Sequence, residues 1–293
     1  MEEEANSYWP QPLTFGGVAA FARASTGRLL LFQAAIAFLA ALTVAFFFES
    51  AWVPVITQTI QGLPPSGAIQ DGQLSWTRPK PLRTVGSTFL WISIDPGNTL
   101  EPSEGADLEV ELGRHQLRFR SVFGFLAIPY PNGYTIALNR NEVEPWWGAW
   151  HPAVTVGLSA ATFVGLLVTW EILAWLYAWP VRLISFYADR DLSWSGAWRL
   201  GGAALLSGAM FMVLALDAYA FHQLNLMQLL AAFVLHFMIG WVYVLFAPFA
   251  LPRCSHTSNP PSANPFKPAK SAQPAQPANP FAKSSQESED PPA

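Results

Sequence analysis

Four polar side chains interrupt the long apolar stretches of this sequence: Gln33, Glu171, Asp217 and His236. If those stretches cross a lipid bilayer, each side chain carries a hydrogen-bonding or ionisable group into a medium without water. Such a position is costly, and it is therefore a candidate functional position by default. A carboxylate and an imidazole at one depth could pass a proton or bind an ion, which is the chemistry of a transport path.

The expected depths of these four residues in the bilayer argue against a single proton relay. At about 1.5 Å per residue, Glu171 and Gln33 are expected roughly 7–8 Å from the bilayer midplane on the cytoplasmic side. His236 is expected in the outer half, and Asp217 near the outer end of its helix. We expect hydrogen bonds between helices, with Glu171 bonded to Gln33 or reaching Arg182, or exposure at the interface. A transport role for Glu171 is the alternative.

Other chemistry is not indicated by the sequence. The five histidines do not pair at metal-ligand spacing, and the phosphate-binding glycine loop, HExxH and GxSxG patterns do not occur. Cys254 is the one cysteine, so no disulfide is expected. A net charge of −4 without a basic cluster argues against binding to nucleic acid. We predict a protein that is not an enzyme and holds no metal or cofactor.

The composition indicates the elements that must position these residues. Hydrophobic residues make up 52% of the 293 and charged residues only 12%, about half of the roughly 25% typical of soluble domains. Runs of about 20 apolar residues, enough to cross a hydrocarbon layer of about 30 Å, predict transmembrane helices at 29–48, 153–179, 200–218 and 228–250. The first run lacks the small residues of a cleavage site, which predicts an uncleaved signal anchor.

Arginine and lysine residues near the ends of these runs predict the orientation. One side collects Arg23, Arg28, Arg182, Arg190, Arg199, Arg253, Lys267 and Lys270, whereas the other has only Arg140 close to a span. The pattern predicts a multi-pass protein of the bacterial plasma membrane with both termini in the cytoplasm. Segments 1–28 and 180–199 would then be cytoplasmic, and 219–227 a short outer loop.

Residues 49–152 differ from the rest because they are charged and rich in proline and glycine. Alternating apolar and polar residues predict strands with one buried face, at 73–76, 88–94, 107–112, 115–120, 123–128 and 134–138. The predicted fold class is an α-helical membrane protein with four transmembrane helices and a β-rich extracytoplasmic domain inserted between helices 1 and 2.

A pattern of opposite charges runs along two of the predicted strands. Glu109 and Glu111 would face Arg118 and Arg120, as a cross-strand charge ladder on a solvated face. An anion or ligand site is the alternative.

Small residues spaced four apart predict close contacts between helices, because they let two backbones approach. Such ridges are formed by Ala37, Ala41 and Ala45 in the first span, Gly157, Ala161 and Gly165 in the second, and Ala204 and Gly208 in the third.

The tail at 251–293 is rich in proline, serine, alanine, asparagine and glutamine, which predicts a disordered segment with little to bury. Within it, Asn-Pro-Phe occurs at 264–266 and again at 279–281. The repeat is interpreted either as a docking peptide or as chance repetition in low-complexity sequence.

The stretch from Pro64 to Trp76 reads PPSGAIQDGQLSW, Ile92 to Pro96 reads ISIDP, and Asp191-Leu-Ser-Trp precedes the third span. These residues resemble an uncharacterised bacterial membrane family that includes maltodextrin-utilisation-associated proteins. The resemblance rests on Pro64, Ile69, Gly72, Leu74 and Asp95. It implies an anchor helix, an extracytoplasmic β-domain and a C-terminal helix bundle, and it attaches no catalytic role to any residue.

The function expected from these patterns is that of a non-enzymatic membrane accessory, sensing or scaffolding protein that acts through its extracytoplasmic domain. Its partners would be the lipid bilayer and another membrane protein or envelope component. The alternative is a transporter or transporter subunit that uses Glu171.

Overall fold

The computed structural model describes residues 9–77, 81–83, 86–100 and 105–253. Within these ranges, four helical stretches are long and apolar enough to cross a membrane: Thr26–Gln61, Arg140–Tyr187, Trp194–Ala220 and Leu226–Ala250. Each of the four predicted spans lies inside one of them. The predicted disorder and the repeated Asn-Pro-Phe motif of the tail lie outside the described residues.

The helices begin and end at residues whose side chains or backbone favour a boundary. Asn139, Ser193 and Asn225 each accept a hydrogen bond from the backbone N–H three residues on, which satisfies a free donor of the first turn. The helices are α1 (Phe15–Ala20), α2 (Thr26–Phe47), a π-helical turn (Phe48–Trp52) that continues into α3 (Val53–Gln61), α4 (Arg140–Tyr187), α5 (Trp194–Ala220), α6 (Leu226–Phe246) and a final 3-10 turn (Ala247–Ala250).

The segment between α3 and α4 forms two sheets, here called the sheet domain. Its strands are β1 (Gly67–Gln70), β2 (Gln73–Trp76), β3 (Leu82–Arg83), β4 (Leu90–Ile94), β5 (Leu108–Leu112), β6 (Gln116–Ser121), β7 (Gly124–Pro129) and β8 (Thr135–Ala137). One sheet has the order β2-β1-β8 and the other β3-β4-β5-β6-β7. Only β4 and β5 pair in parallel. Each of the six predicted strands overlaps one of these, and β1 and β3 were not predicted.

The helix bundle, α2, α4, α5 and α6, adjoins the sheet domain at one end. The helices α2 and α5 run towards that end, and α4 and α6 run away from it. Ala51, Phe89 and Tyr219 form a buried cluster where the two parts meet. We call the half of the bundle next to this cluster the sheet-side half, and the other the far half.

The chain that precedes α2 is part of the core of the far half. Val18 and Phe21 are fully buried in the same cluster as Leu200 and Val244. The Tyr243 hydroxyl donates to the Leu13 carbonyl oxygen at 2.7 Å. This packing was not predicted from the sequence, because residues 9–24 contain no long apolar run.

Candidate functional site

A cavity of about 350 Å³ lies among α2, α4, α5 and α6. It extends from Tyr177 in the far half, through Gly240 near the middle of the bundle, to Val44 and Leu216 towards the sheet domain. Its lining is aliphatic and aromatic, apart from the side chains of Thr162, Thr169, Tyr177 and His236. Its volume lies within the range of about 300–1,000 Å³ that is usual for sites that bind small organic molecules.

Side-chain size changes along α5. In the far half, a Cβ added to Gly201 would lie 3.2 Å from the Ala174 carbonyl oxygen, and one added to Gly202 would lie 3.1 Å from Leu29 Cδ2. The helices are therefore in close contact there. Towards the sheet domain, α5 contributes the larger residues Met212 and Leu216 to the lining of the cavity.

His236 supplies an imidazole to the lining of the cavity. Its Nδ1 lies within hydrogen-bond distance of the Phe233 carbonyl oxygen. Because a carbonyl oxygen only accepts, Nδ1 carries the proton, and in the neutral ring Nε2 is then an acceptor. The ring also packs against Phe237, with 4.0 Å between centroids. His236 could therefore accept a hydrogen bond from the polar end of an otherwise apolar ligand.

Glu171 and Gln33 lie outside the lining of the cavity. Gln33 is fully buried, and neither of its amide atoms has a hydrogen-bond partner among the described residues. The same holds for Oε1 of Glu171. Gln33 Nε2 and the Ala174 methyl group would both touch a Cβ added to Gly202, each at 3.3 Å. Gln33 thus lies beside the turn of α4 that follows Glu171, but the predicted hydrogen bond between the two is not formed.

Asp217 lies in the last turn but one of α5 and is half-buried. Its carboxylate has no hydrogen bond or ion pair within the part of the chain that the structure describes. The four polar residues singled out from the sequence are therefore not brought together. His236 faces the cavity, Glu171 and Gln33 lie towards the far half, and Asp217 lies near the sheet domain.

The junction between the bundle and the sheet domain contains contacts that the sequence did not indicate. The Tyr219 hydroxyl donates to Asp107 Oδ2 at 2.5 Å, and the Phe89 ring lies 4.8 Å from that of Tyr219. Phe89 also stacks on His222 at 4.5 Å. Since Leu216 is one helical turn from Tyr219, the lining of the cavity is directly continuous with these contacts.

The small-residue ridges differ in their surroundings. A Cβ added to Gly208 would lie 2.5 Å from the His236 carbonyl oxygen, and Ala204 is fully buried, so this ridge packs against α6. In contrast, Gly157, Ala161 and Gly165 are exposed, and nothing lies within 4 Å of a Cβ on either glycine. That ridge makes no helix contact within the described residues.

The charge ladder of the sheet domain is formed as the strand pattern predicted. Glu109 is opposite Arg120, and Glu111 opposite Arg118. Arg118 bonds Glu111 at 2.7 Å, and Arg120 bonds Glu111 at 2.8 Å and Glu109 at 3.4 Å. Both glutamates are buried, so the prediction that they lie on a solvated face is wrong. Because each carboxylate is paired with a guanidinium, the ladder is best explained as a structural part of the sheet.

No group of three or more metal-ligating side chains occurs among residues 9–77, 81–83, 86–100 and 105–253. In the comparisons with known proteins, no protein-family model, curated protein or solved structure matches this chain. The resemblance seen in its sequence therefore stays a prediction.

Proposed function

We propose that this chain is a non-enzymatic accessory or sensing protein of the membrane that binds an apolar, lipid-class ligand in the cavity of its helix bundle. The observation that carries the proposal is the cavity itself. It has the volume of a ligand site, an almost entirely apolar lining and a few polar groups, which is the usual construction of sites for apolar molecules.

Embedding in a bilayer is supported by the outward faces of the helices. The middle of α4 exposes large apolar side chains, namely Val156, Val164, Val168, Ile172, Trp175 and Leu176. A water-soluble protein rarely leaves so large an apolar surface uncovered. In lipid the same surface needs no cover.

The orientation follows from the arginines. Arg182, Arg190 and Arg199 all lie near the end where α4 finishes and α5 begins, and Arg28 lies at the start of α2. By the preference of basic residues for the cytoplasmic side, this is the cytoplasmic end. The sheet domain is then extracytoplasmic, and both termini are cytoplasmic.

A ligand in the cavity would act on the sheet domain through the junction. Leu216 touches the cavity, and Tyr219, one turn later, holds Asp107 at the start of β5. A shift of the end of α5 would move the sheet domain with it. The sheet domain is the part that would present this change to another membrane protein or envelope component.

The proposal is tested by native mass spectrometry of the chain purified in mild detergent. The natural sequence is expected to retain an apolar compound of lipid mass, whereas Ala209→Phe, which places a ring in the cavity, is expected to lose it. Ala160→Phe adds the same ring on the exposed face of α4 and should retain the compound. Equal retention by all three chains would contradict the proposal.

A second candidate function is that of a transporter or transporter subunit. The observation in its favour is that the amide of the buried Gln33 and Oε1 of the half-buried Glu171 have no hydrogen-bond partner among the described residues. Replacing the carboxylate in Glu171→Gln should then abolish a measurable proton or ion flux in reconstituted vesicles. Unchanged flux would eliminate this candidate.

A further inference from the structure

The five-stranded sheet meets the helices with one particular end. Phe89 comes directly before β4, and Asp107 directly before β5; both contact Tyr219 at the end of α5. Because β4 and β5 are parallel, both strands start at the helices and run away from them. The end of the sheet at which β4 and β5 start is called the proximal end below.

The turn between β6 and β7 lies at this proximal end. Ser121, the last residue of β6, is opposite Leu108, the first of β5. Ser121 is also opposite Gly124, which leaves Val122 and Phe123 as a two-residue turn. The contact with α5 lies between β4 and β5 and the turn lies between β6 and β7, so at about 4.8 Å per strand the turn is roughly 10 Å to the side of that contact. Both of its side chains are exposed, so no described helix covers them.

The residues of this turn are unusual for their position. Hairpin turns are usually rich in glycine, asparagine, aspartate and serine. In this hairpin Gly124 takes the positive φ of 121°, so the residues before it are unusual for their apolar, exposed side chains and not for their backbone. Here the residues are Val122, which is 55% exposed, and Phe123, which is 77% exposed. Phe125, the second residue of β7, is exposed as well.

The turns at the opposite end of the sheet domain have the usual composition. The β1–β2 turn is Asp71-Gly72, with positive φ at both residues. The β5–β6 turn contains Gly113 and Arg114, and Leu74 N–H donates to the Arg114 carbonyl oxygen at 2.7 Å, which joins the two turns. The turn before β8 is Pro-Asn-Gly at 131–133. Among the hairpins whose turns the structure describes, only the β6–β7 turn consists of apolar residues. It is also the one that lies at the proximal end, next to the helices.

We propose that the β6–β7 turn inserts Val122 and Phe123 into the interfacial layer of the outer leaflet beside the bundle. The partner is the lipid surface itself, because the turn lies at the height of Tyr219 and His222, where the helices would leave the hydrocarbon. Aromatic and branched apolar side chains are favoured in that layer. This inference rests on the proposed embedding of the bundle in a membrane.

The turn gives the sheet domain a further attachment, about 10 Å from the contact with α5 by the strand spacing. The domain also packs on Val143 at the start of α4, and Ser87 bonds the Ala51 carbonyl oxygen. A contact in the lipid makes the position of the sheet domain depend on how the outer leaflet is packed. The sheet domain then responds both to the ligand cavity and to the lipid surface.

The test uses single cysteines in the full chain, with Cys254→Ser as background. Phe123→Cys is the test site, Tyr134→Cys is the control at the opposite end, where the native side chain is 67% exposed, and Val164→Cys reports on the middle of α4. Each is labelled with the same fluorophore and reconstituted into phosphatidylethanolamine–phosphatidylglycerol vesicles. The lipids carry a spin label either near the headgroup or at the centre of the chain.

The label at 123 is expected to be quenched several-fold more than the label at 134 by the headgroup-proximal spin label. The label at 164 should be quenched best by the chain-centre spin label. If 164 is quenched and 123 is quenched no more than 134, the inserted turn is wrong while the membrane embedding stands. If 164 is not quenched either, the proposed embedding fails and this inference fails with it.

Discussion

The two halves of the helix bundle are built from the same kinds of helices but pack differently. In the far half, α5 offers Gly201 and Gly202 to its neighbours, and the segment before α2 contributes Val18 and Phe21 to a closed core. Towards the sheet domain, larger residues of α5 such as Met212 and Leu216 line a cavity of about 350 Å³. The close glycine contacts and the cavity lie on different stretches of the same helix, so we expect the two halves to tolerate added side-chain volume differently.

The largest effect is expected where the far half is packed most closely. Gly202→Leu would drive a side chain into Leu29, Ala174 and Gln33, which would lie within 3.3 Å of the new Cβ. Overpacking of this kind lowers the free energy of unfolding by typically about 1–3 kcal/mol. Thermal unfolding in detergent should show a clear loss for Gly202→Leu. Gly165→Leu, whose Cβ meets nothing within 4 Å, should change little, and an equal loss for both would contradict the comparison.

The next largest effect is expected from removing one tyrosine hydrogen bond at either end of the bundle. Tyr219→Phe removes the hydrogen bond to Asp107 in the sheet domain, and Tyr243→Phe removes the bond to Leu13 in the N-terminal segment. Hydrogen bonds to a charged group contribute about 1.5–3 kcal/mol and neutral ones about 0.5–1.5 kcal/mol. Hydrogen exchange should rise in β4 and β5 for Tyr219→Phe, and around α1 for Tyr243→Phe. A rise in the same segments for both variants would show that the two ends are not independent.

A smaller effect on stability separates two alanines of α2. Ala37 is fully buried in the far-half core, whereas Ala40 lines the cavity. Ala37→Leu should overpack and destabilise the chain, but the added atoms of Ala40→Leu enter the cavity. We expect Ala40→Leu to change the free energy of unfolding by less than about 1 kcal/mol while it reduces ligand retention. Similar destabilisation by both, measured by denaturant titration, would mean that the cavity closes in solution.

The smallest effect is a pH dependence confined to the sheet domain. The Tyr130 hydroxyl donates to the Gly113 carbonyl oxygen at 3.0 Å, and burial raises the pKa of Tyr130 from 10.0 to about 12. The pKa of Tyr130 is higher in the folded chain than in the unfolded chain. The buried neutral hydroxyl therefore contributes fully to the free energy of unfolding below pH 10, and this contribution is lost as the pH rises from 10 to 12. Hydrogen exchange of β5 and β6 between pH 9 and 12, compared with Tyr130→Phe, would measure it. The variant should show a flatter dependence, and identical profiles would contradict the role of Tyr130.

The sequence was informative where structure follows from local periodicity. Apolar runs of helix length predicted the four long helices, and period-two alternation predicted six strands and that Glu109 and Glu111 would face Arg118 and Arg120. Both signals depend on residues close together in the chain. The strand β3 has two residues, too few to show such a period, whereas β1 was missed although it is as long as the predicted β2.

The cavity and the junction could not be predicted in the same way. A cavity is the space left between helices, and its position depends on their relative rotation and on side-chain sizes in four separate segments. The Tyr219–Asp107 bond joins residues 112 apart. Small-residue spacing has the same limitation. It predicted that Gly208 packs closely on another helix, but it did not reveal that Gly157 and Gly165 contact none of the helices in the described part of the chain.

The claim that the sheet-side cavity binds an apolar ligand is tested most directly by photo-cross-linking. A fatty acid with a diazirine group in its chain is added to the reconstituted protein, and the modified peptides are identified by mass spectrometry after irradiation. We predict modification at cavity residues such as Leu216 and Phe233, and its loss in Ala209→Phe but not in Ala160→Phe. Modification confined to the exposed face of α4, unchanged in both variants, would contradict the account.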